Sequence, residues 1–194
     1  MENKIIPRWE WRTFGEDFPQ DEKKIKTYGE PTPRKSEEAY ILSRKSDENT
    51  KIREGLMDIK SLQEINSDKL EQWKPIMKEA FPLNSEKLAK LFSIFKVELP
   101  KLERPEYSYE QFLDELIRPN NDLKVVEVKK ERYGYTINDA TVEFALTWFN
   151  GVPLKTFCVE HADPALVMKT VKELGLSGYP NINYIKAMKK TVGF

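Results

Sequence analysis

Short runs in which apolar and polar residues alternate dominate both ends of the chain, and they predict β-strands. Each run is bounded by turn residues such as glycine, proline, asparagine or aspartate. Two of these turns, Glu54-Gly55 and Asn150-Gly151, are typical of tight hairpins. The predicted strands lie at about 6–13, 37–44, 50–62 (a hairpin), 122–136, 140–149 and 152–161.

Apolar residues with helical spacing occupy the middle of the chain and its C-terminus. Asn84 or Ser85 can cap a helix with one apolar stripe, and Asp163-Pro164 combines an N-cap with a proline at the first helical position. The segment through Pro31 and Pro33, between the first two strands, is predicted to be a loop. The predicted helices lie at about 68–73, 84–95, 107–117, 163–174 and beyond Pro180.

Because side chains alternate across a strand, each predicted strand can be divided into two faces. In the first strand, tryptophans occupy one face and charged residues the other: Trp9 and Trp11 against Arg8, Glu10 and Arg12. The later strands divide in the same way. Only 124–133 is ambiguous, because valines and cationic residues share a parity there.

This alternation fits two arrangements. Antiparallel sheets commonly pack one face on helices and expose the other to water. In the alternative, helices cover the apolar outside, and the charged faces line a closed or nearly closed barrel. Buried charges are costly unless they are paired or liganded, so such an interior needs both signs and an anionic ligand or a metal. Alternation alone permits either arrangement.

The chain has 32 basic and 32 acidic residues, so net charge gives no argument for a nucleic acid or a membrane as partner, and we expect neither. The sequence shows no signal peptide or membrane-spanning stretch, from which we expect a cytoplasmic location. Cys158 is the only cysteine, which excludes an internal disulfide and a thiolate zinc cluster, and we interpret it as a buried small residue. His161 is likewise the only histidine, so we expect carboxylates to hold any metal.

Five stretches of the sequence resemble the CYTH superfamily, the triphosphate tunnel metalloenzymes. That family opens with Glu-x-Glu-x-Lys, and the matching stretch here is Arg8-Trp9-Glu10-Trp11-Arg12, in which Arg8 replaces the first glutamate. The hairpin TKIREGLMDIKSL is similar to the family's Arg-bearing and Lys-bearing strands, and VEVKKERYGY to its Lys-x-Arg strand. ATVEFALTWFNG and TFCVEHADP resemble its two late carboxylate strands, and the resemblance covers nearly the whole chain.

The resemblance implies one α+β domain over residues 1–194, an eight-stranded antiparallel barrel that forms a triphosphate tunnel, with helices packed on the outside. Basic side chains would hold a triphosphate or polyphosphate, because guanidinium groups match phosphate oxygens and lysines add compact charge. Carboxylates would hold Mg²⁺ or Mn²⁺, since hard cations prefer oxygen ligands. The implied substrate-binding residues are Arg12, Arg53, Lys60, Lys130 and Arg132, with Lys51 and Lys129 in reserve; the implied catalytic and metal-binding residues are Glu10, Glu143 and Glu160.

Four functions stay open on the sequence. The resemblance favours a metal-dependent hydrolase of inorganic triphosphate or of an organic or nucleoside triphosphate. A nucleotidyl cyclase would need a pocket for a base, which the sequence does not reveal. A non-catalytic binder of polyphosphate or nucleotides is favoured if Arg8 has disabled the metal site, and a structural or interaction protein follows if the charged faces are solvated.

Overall fold

The computed structural model describes residues 7–194, so the predicted start of the first strand at residue 6 lies outside the described residues. The strands are β1 (Trp9–Gly15), β2 (Thr32–Ser43), β3 (Asn49–Arg53), β4 (Leu56–Ile65), β5 (Glu71–Ala80), β6 (Leu83–Asn84), β7 (Glu106–Tyr107), β8 (Leu123–Ile137), β9 (Ala140–Phe149) and β10 (Val152–His161). The helices are α1 (Pro19–Ile25), α2 (Ser85–Phe95), α3 (Tyr109–Gln111, continued by a π-helical turn over Phe112–Ile117), α4 (Pro164–Leu174) and α5 (Tyr184–Val192). Within residues 7–194, none of these helices is both long enough and apolar enough to cross a membrane.

Eight of the strands close into an antiparallel barrel in the order β1-β10-β9-β8-β2-β3-β4-β5. The predicted α+β class and eight-stranded barrel are therefore confirmed. The hairpin turns Glu54-Gly55 and Asn150-Gly151 have positive φ at both residues, which is the backbone that two-residue type I′ turns require. Turn geometry fixes the register of a hairpin, and the β9–β10 turn sets Glu143 directly opposite Cys158.

The chain divides into two compact units, each with its own apolar core. The first unit consists of the chain up to Ser36, Leu62–Lys74 and Lys129–Asn183. In this unit the apolar faces of β1, β9 and β10 pack against α1 and α4. The buried members include Trp11, Phe18, Ile25, Val142, Phe157, Val159, Val167, Val171 and Leu174. The opposite face of the same strands carries the charged residues, which we call the inward face.

The second unit consists of Glu37–Ser61, Pro75–Val128 and Tyr184–Phe194. Apolar residues on one face of β2, β3 and β4 pack here against α2 and the π-helical turn. The buried members include Ala39, Ile41, Ile52, Met57, Ile59, Leu88, Leu91, Phe92, Phe95 and Phe112. The predicted cap of α2 is confirmed, because the Asn84 side chain accepts a hydrogen bond from the backbone N–H of Lys87.

The helix predicted over residues 68–73 is wrong, because this segment forms a turn and the start of β5. The Asn66 side chain accepts hydrogen bonds from the backbone N–H groups of Asp68 and Leu70, and Lys69 has a positive φ of 64°. Such an Asx turn reverses the chain. Glu71 then pairs with Glu10 of β1, so cross-strand pairing overrides the local helical spacing.

The loop predicted through Pro31 and Pro33 is also wrong in part. Helix α1 begins inside this segment at Pro19, at the first helical position, where a missing N–H costs nothing. Strand β2 begins at Thr32, so Pro33 is its second residue. Proline is tolerated there because the end of a strand can lack a ladder hydrogen bond.

Candidate functional site

The inward face of the first unit brings together three carboxylates, two arginines and one thiol, which we call the carboxylate cluster. Its members are Glu10, Arg12, Arg132, Glu143, Cys158 and Glu160. Strand pairing places Glu10 opposite Glu160, Arg12 opposite Cys158, and Cys158 opposite Glu143. Directly opposite residues of antiparallel strands share a face and lie close together, so register alone assembles most of this cluster.

Arg12 lies at the centre of the cluster, and its side chain is only 7% exposed. Its Nε donates a hydrogen bond to Glu10 Oε1 at 2.9 Å, and Nη1 lies 3.7 Å from Glu143 Oε1. The backbone N–H of Arg12 donates to the Asn181 side chain, and its carbonyl accepts from Ile182 N–H. The guanidinium is thus held between two carboxylates by a fixed backbone.

Arg132 contributes the second guanidinium of the cluster. Its Nη1 lies 3.8 Å from Glu143 Oε2, which resolves the ambiguous parity of 124–133: Arg132 faces the cluster. Its Nε and Nη2 atoms are buried, and neither makes a hydrogen bond to any residue in 7–194. Buried polar groups are rarely left in this state, so a ligand or an ordered water would supply the acceptor that these two donors lack among the described residues. Lys130 has the same parity on β8 and is 5% exposed.

Glu10 and Glu160 form a carboxylate pair within the cluster. Burial raises the pKa of Glu160 from 4.5 to about 7, and repulsion by Glu10 adds to this rise, while Arg12 opposes it. The Cys158 thiol donates to Glu160 Oε1 at 3.5 Å, and burial raises the pKa of this thiol well above its usual range. The surroundings of the pair therefore favour the protonated, neutral form of Glu160 up to about its raised pKa.

The second unit carries its own charged group on the face opposite its core, which we call the lysine–arginine cluster. Its members are Glu38, Lys51, Arg53, Asp58 and Lys60. The carboxylate of Glu38 is 1% exposed, accepts a hydrogen bond from the Tyr40 hydroxyl and lies 3.6 Å from Arg53 Nη1. Burial lowers the pKa of Lys51, with Lys60 and Arg53 contributing in the same direction and Glu38 and Asp58 opposing them.

The structure groups the predicted site residues into these two clusters and corrects some details. Arg12, Lys130, Arg132, Glu10, Glu143 and Glu160 belong to the first unit, and Arg53, Lys60 and Lys51 to the second. Lys129 is exposed and has the opposite parity to Lys130, so it does not share the inward face. Arg8, which precedes β1, is exposed, and its Nη1 donates to Thr141 Oγ1 at 3.2 Å.

Two buried carboxylates were missed by sequence reasoning. Glu71 is 5% exposed and accepts hydrogen bonds from Asn183 and the Trp73 indole N–H. The incorrect helix over 68–73 concealed it; in the structure it lies on β5, opposite Glu10 of β1. Glu38 shares its parity with Tyr40 and Leu42, and that shared parity was the available signal for a buried carboxylate.

Glu10 and Glu160 suit a divalent cation such as Mg²⁺ or Mn²⁺, because two facing carboxylates that repel one another offer oxygen ligands and excess negative charge. Glu143 suits it less directly, since each of its oxygens faces an arginine. The potential ligand atoms that converge belong instead to Glu10, Cys158 and Glu160, and all lie within 4.8 Å of one another.

No protein-family model matches the chain, and no curated protein matches its sequence. Solved structures do match. A conserved hypothetical protein from Pyrococcus furiosus aligns with a TM-score of 0.51 and 13% identity over 92% of this chain and 98% of that one. An adenylyl cyclase candidate from Hippeastrum, described as having a dominant triphosphatase activity, aligns with a TM-score of 0.51 and 10% identity over 95% and 96%. At such identities the likeness shows the fold alone: the chain shares its eight-stranded antiparallel barrel architecture with these structures.

Proposed function

We propose that the protein is a metal-dependent hydrolase of triphosphate-containing substrates, either inorganic triphosphate or an organic or nucleoside triphosphate. The observation that carries the proposal is Arg132, whose Nε and Nη2 atoms are buried and make no hydrogen bond within residues 7–194. Unpaired buried donors are costly, and phosphate oxygens match two parallel N–H groups of a guanidinium. A phosphate-containing ligand would therefore satisfy Arg132 better than water-filled space.

The other cations support a ligand with several negative charges. In the first unit Lys130 is buried on the same strand face as Arg132. In the second unit Lys51, Arg53 and Lys60 follow the same alternation on β3 and β4. In this proposal the cations of each unit offer positive charge to phosphate oxygens, because lysine and arginine charges offset phosphate charges at close range.

Glu10, Glu160 and Glu143 are the residues that would hold Mg²⁺ or Mn²⁺. When bound, such an ion neutralises the charge that develops on the transferred phosphoryl group. Hydrolysis forms a bond between a water oxygen and the terminal phosphorus while the bridging P–O bond breaks. Arg132 and Lys130 would orient the terminal phosphoryl group. Arg12 would keep Glu10 and Glu143 in position through the contacts it already makes.

The activity described for the Hippeastrum protein belongs to that protein, and for this chain it supports the proposal without extending to its substrate. A non-catalytic binder of polyphosphate is the second candidate. Arg8 favours it, because a cation stands where the CYTH pattern has a carboxylate, and Arg12 already occupies one oxygen of Glu10. The cytoplasmic location stays a prediction.

The test is phosphate release from inorganic triphosphate and from ATP, each with Mn²⁺, with Mg²⁺ and with a chelator. Arg132→Gln removes the unpaired donors and should lower kcat/KM at least ~100-fold, the size seen when a donor to a transition-state oxyanion is removed. Arg132→Lys should recover part of this loss, since charge is kept but the guanidinium fork is not. Arg34→Gln is the matched control, because Arg34 is exposed on β2 and should leave the rate unchanged.

Calorimetric titration with triphosphate separates the two candidates. Turnover that requires a metal and is lost in Arg132→Gln supports the hydrolase. Binding without turnover, also lost in Arg132→Gln, supports the binder. If triphosphate neither binds nor is hydrolysed, or if Arg132→Gln changes nothing, both candidates are wrong.

A further inference from the structure

A cavity of about 570 Å³ lies in the first unit, on the apolar side of its strands. Its strand wall includes Tyr133 and Tyr135 of β8 and Phe144 and Leu146 of β9, and the end of α1 with the turn that follows it closes the other side. Cavities of roughly 300–1,000 Å³ that combine an apolar wall with a few polar groups commonly bind small molecules. This cavity is therefore large enough to hold a small-molecule ligand.

The cavity is separate from the carboxylate cluster, because the two use opposite faces of the same strands. On β8, Tyr133 and Tyr135 have the opposite parity to Arg132, and on β9 Phe144 has the opposite parity to Glu143. The tyrosines and Phe144 pack with the apolar core of the first unit, whereas Arg132 and Glu143 contact each other on the inward face. A ligand in this cavity would therefore not occupy the site proposed for triphosphate.

Aromatic rings form much of the strand side of the cavity. The ring centroids of Tyr133 and Phe144 lie 6.1 Å apart, with 22° between the ring planes. Tyr135 is 9% exposed, and its pKa is raised first by burial and then by the nearby Glu30 carboxylate. The faces of aromatic rings attract cations, and the attraction strengthens where water is partly excluded. The three rings therefore favour a ligand with positive charge.

The charged groups around the cavity leave an excess of negative charge. The Lys155 ammonium donates to Asp17 Oδ1 and to Glu22 Oε1, both at 2.6 Å, so two carboxylates face this one cation. Glu30 adds a third carboxylate, and the exposed Lys26 adds a second ammonium group. Three carboxylates thus stand against two ammonium groups beside an aromatic wall. Both features attract a cation and oppose an anion.

We propose that this cavity binds a small organic cation, with its charged head against the aromatic rings and its apolar part against Leu146 and Ile25. An anionic ligand would meet the excess of carboxylates, and a neutral one would leave that excess unbalanced. The proposal does not rest on the hydrolase function, because no residue that lines the cavity belongs to the carboxylate cluster or to the lysine–arginine cluster.

Phenyltrimethylammonium is a suitable probe, because it joins a quaternary ammonium head to an apolar ring and its equivalent methyl protons give one sharp proton NMR signal. Titrated with the full chain, it should bind one-to-one with a dissociation constant of about 1 mM or below, as expected for a ligand of about ten non-hydrogen atoms. Ring currents of the aromatic side chains should shift the methyl signal upfield more than the phenyl signals. Benzenesulfonate, which has the same ring and an anionic head, should bind at least ~10-fold more weakly.

Two pairs of variants test the residues. Tyr133→Leu removes a ring and should weaken phenyltrimethylammonium binding at least ~5-fold, whereas Tyr133→Phe keeps the ring and should bind like the wild-type protein. Glu30→Gln removes an exposed carboxylate and should weaken binding about threefold. Glu16→Gln is its matched control, because Glu16 is an exposed carboxylate of the same unit that does not line the cavity.

The proposal is wrong if phenyltrimethylammonium does not bind saturably, or if benzenesulfonate binds as tightly. It is also wrong if a folded Tyr133→Leu protein, checked by circular dichroism, keeps full affinity. Glu30→Gln keeps the proposal testable if Tyr133→Leu does not fold, because Glu30 lies on an exposed turn. Unchanged affinity in Glu30→Gln would contradict the charge argument.

Arg132→Gln separates this proposal from the hydrolase, since it should leave phenyltrimethylammonium binding unchanged. A wild-type protein that binds the organic cation but neither binds nor hydrolyses triphosphate contradicts the hydrolase and keeps the cation site. A protein that hydrolyses triphosphate without binding the organic cation does the reverse.

Discussion

The carboxylate cluster and the lysine–arginine cluster use the same strand alternation but differ in burial and in how tightly their charges pair. In the first, Arg12 is 7% exposed and donates to Glu10 at 2.9 Å. In the second, Arg53 is 32% exposed, and its Nη1 lies 3.6 Å from Glu38 Oε1. Because water screens exposed charges, an ion pair of the second kind contributes less to stability than one of the first kind.

We infer that the carboxylate cluster and the lysine–arginine cluster have different roles. Side chains fixed by short, buried contacts hold their geometry without a ligand, as a metal site requires. Partly exposed side chains keep rotamer freedom and can adapt to phosphate chains of different lengths, at an entropic cost on binding. Equivalent substitutions in the two clusters should therefore have unequal effects, which four experiments can measure.

The largest effect is expected for Glu10→Gln. This change removes a proposed metal ligand and the acceptor of Arg12 Nε while keeping the shape of the side chain. We expect metal-dependent kcat/KM to fall at least ~100-fold, on the scale of a lost transition-state contact. Asp58→Asn, the same carboxylate-to-amide change in the lysine–arginine cluster, should cost less than ~10-fold. Equal losses in the two variants would contradict the proposed division.

The second experiment compares Glu160→Gln with the wild-type protein in a metal-free buffer. It measures the free energy of unfolding as a function of pH. The pKa of Glu160 is raised to about 7 from 4.5, so its neutral form favours folding below pH 4.5 and this contribution is lost as pH rises through 7. At pH 8 the variant should be more stable than the wild-type protein, by a few kcal/mol at most, on the order of 2 kcal/mol. Chemical unfolding at pH 4.5 and pH 8 measures the difference, and a variant less stable at pH 8 would show that the carboxylate is stabilised as an anion.

The sequence predicted the architecture of the barrel more accurately than the ligands inside it. Alternation alone assigns Glu10, Arg12, Glu143 and Glu160 to the charged faces of their strands, and the family resemblance predicts that these faces line the barrel. The positions of the candidate metal ligands depend on strand register and on side-chain direction, which residue spacing does not give. The proximity of Cys158 to Glu10 and the contacts of Glu143 with two arginines therefore could not be predicted from the sequence. Glu71 was missed for a different reason. The sequence pattern predicted a helix over 68–73, where an Asx turn at Asn66 instead reverses the chain before β5.

The third experiment substitutes Arg53→Gln in the lysine–arginine cluster. Because Arg53 is partly exposed and adaptable, it should contribute to holding the substrate in the ground state and the transition state alike. We expect KM for triphosphate to rise about 10-fold with kcat nearly unchanged, and the effect to shrink at high ionic strength. Steady-state kinetics at two salt concentrations tests this. A fall in kcat with KM unchanged would place Arg53 with the transition-state contacts and remove the contrast with Arg132.

The smallest effect is expected for Tyr40→Phe, which tests how the second unit supports its buried carboxylate. The Tyr40 hydroxyl donates to Glu38 Oε2 at 3.1 Å, and Arg53 remains as a second partner after the substitution. The loss in free energy of unfolding should be about 1 kcal/mol, or ~2–4 °C in melting temperature for a chain of this size.

The matched change in the first unit is Trp73→Phe, which removes the indole donor to Glu71 while Asn183 still donates to both oxygens. Each variant removes one hydrogen-bond donor from a buried carboxylate, so we expect losses of similar size in the two units. The melting temperatures of both variants are also measured with and without triphosphate. If Glu38 orients Arg53, triphosphate should raise the melting temperature of Tyr40→Phe more than that of Trp73→Phe. Equal increases would show that Glu38 does not orient Arg53.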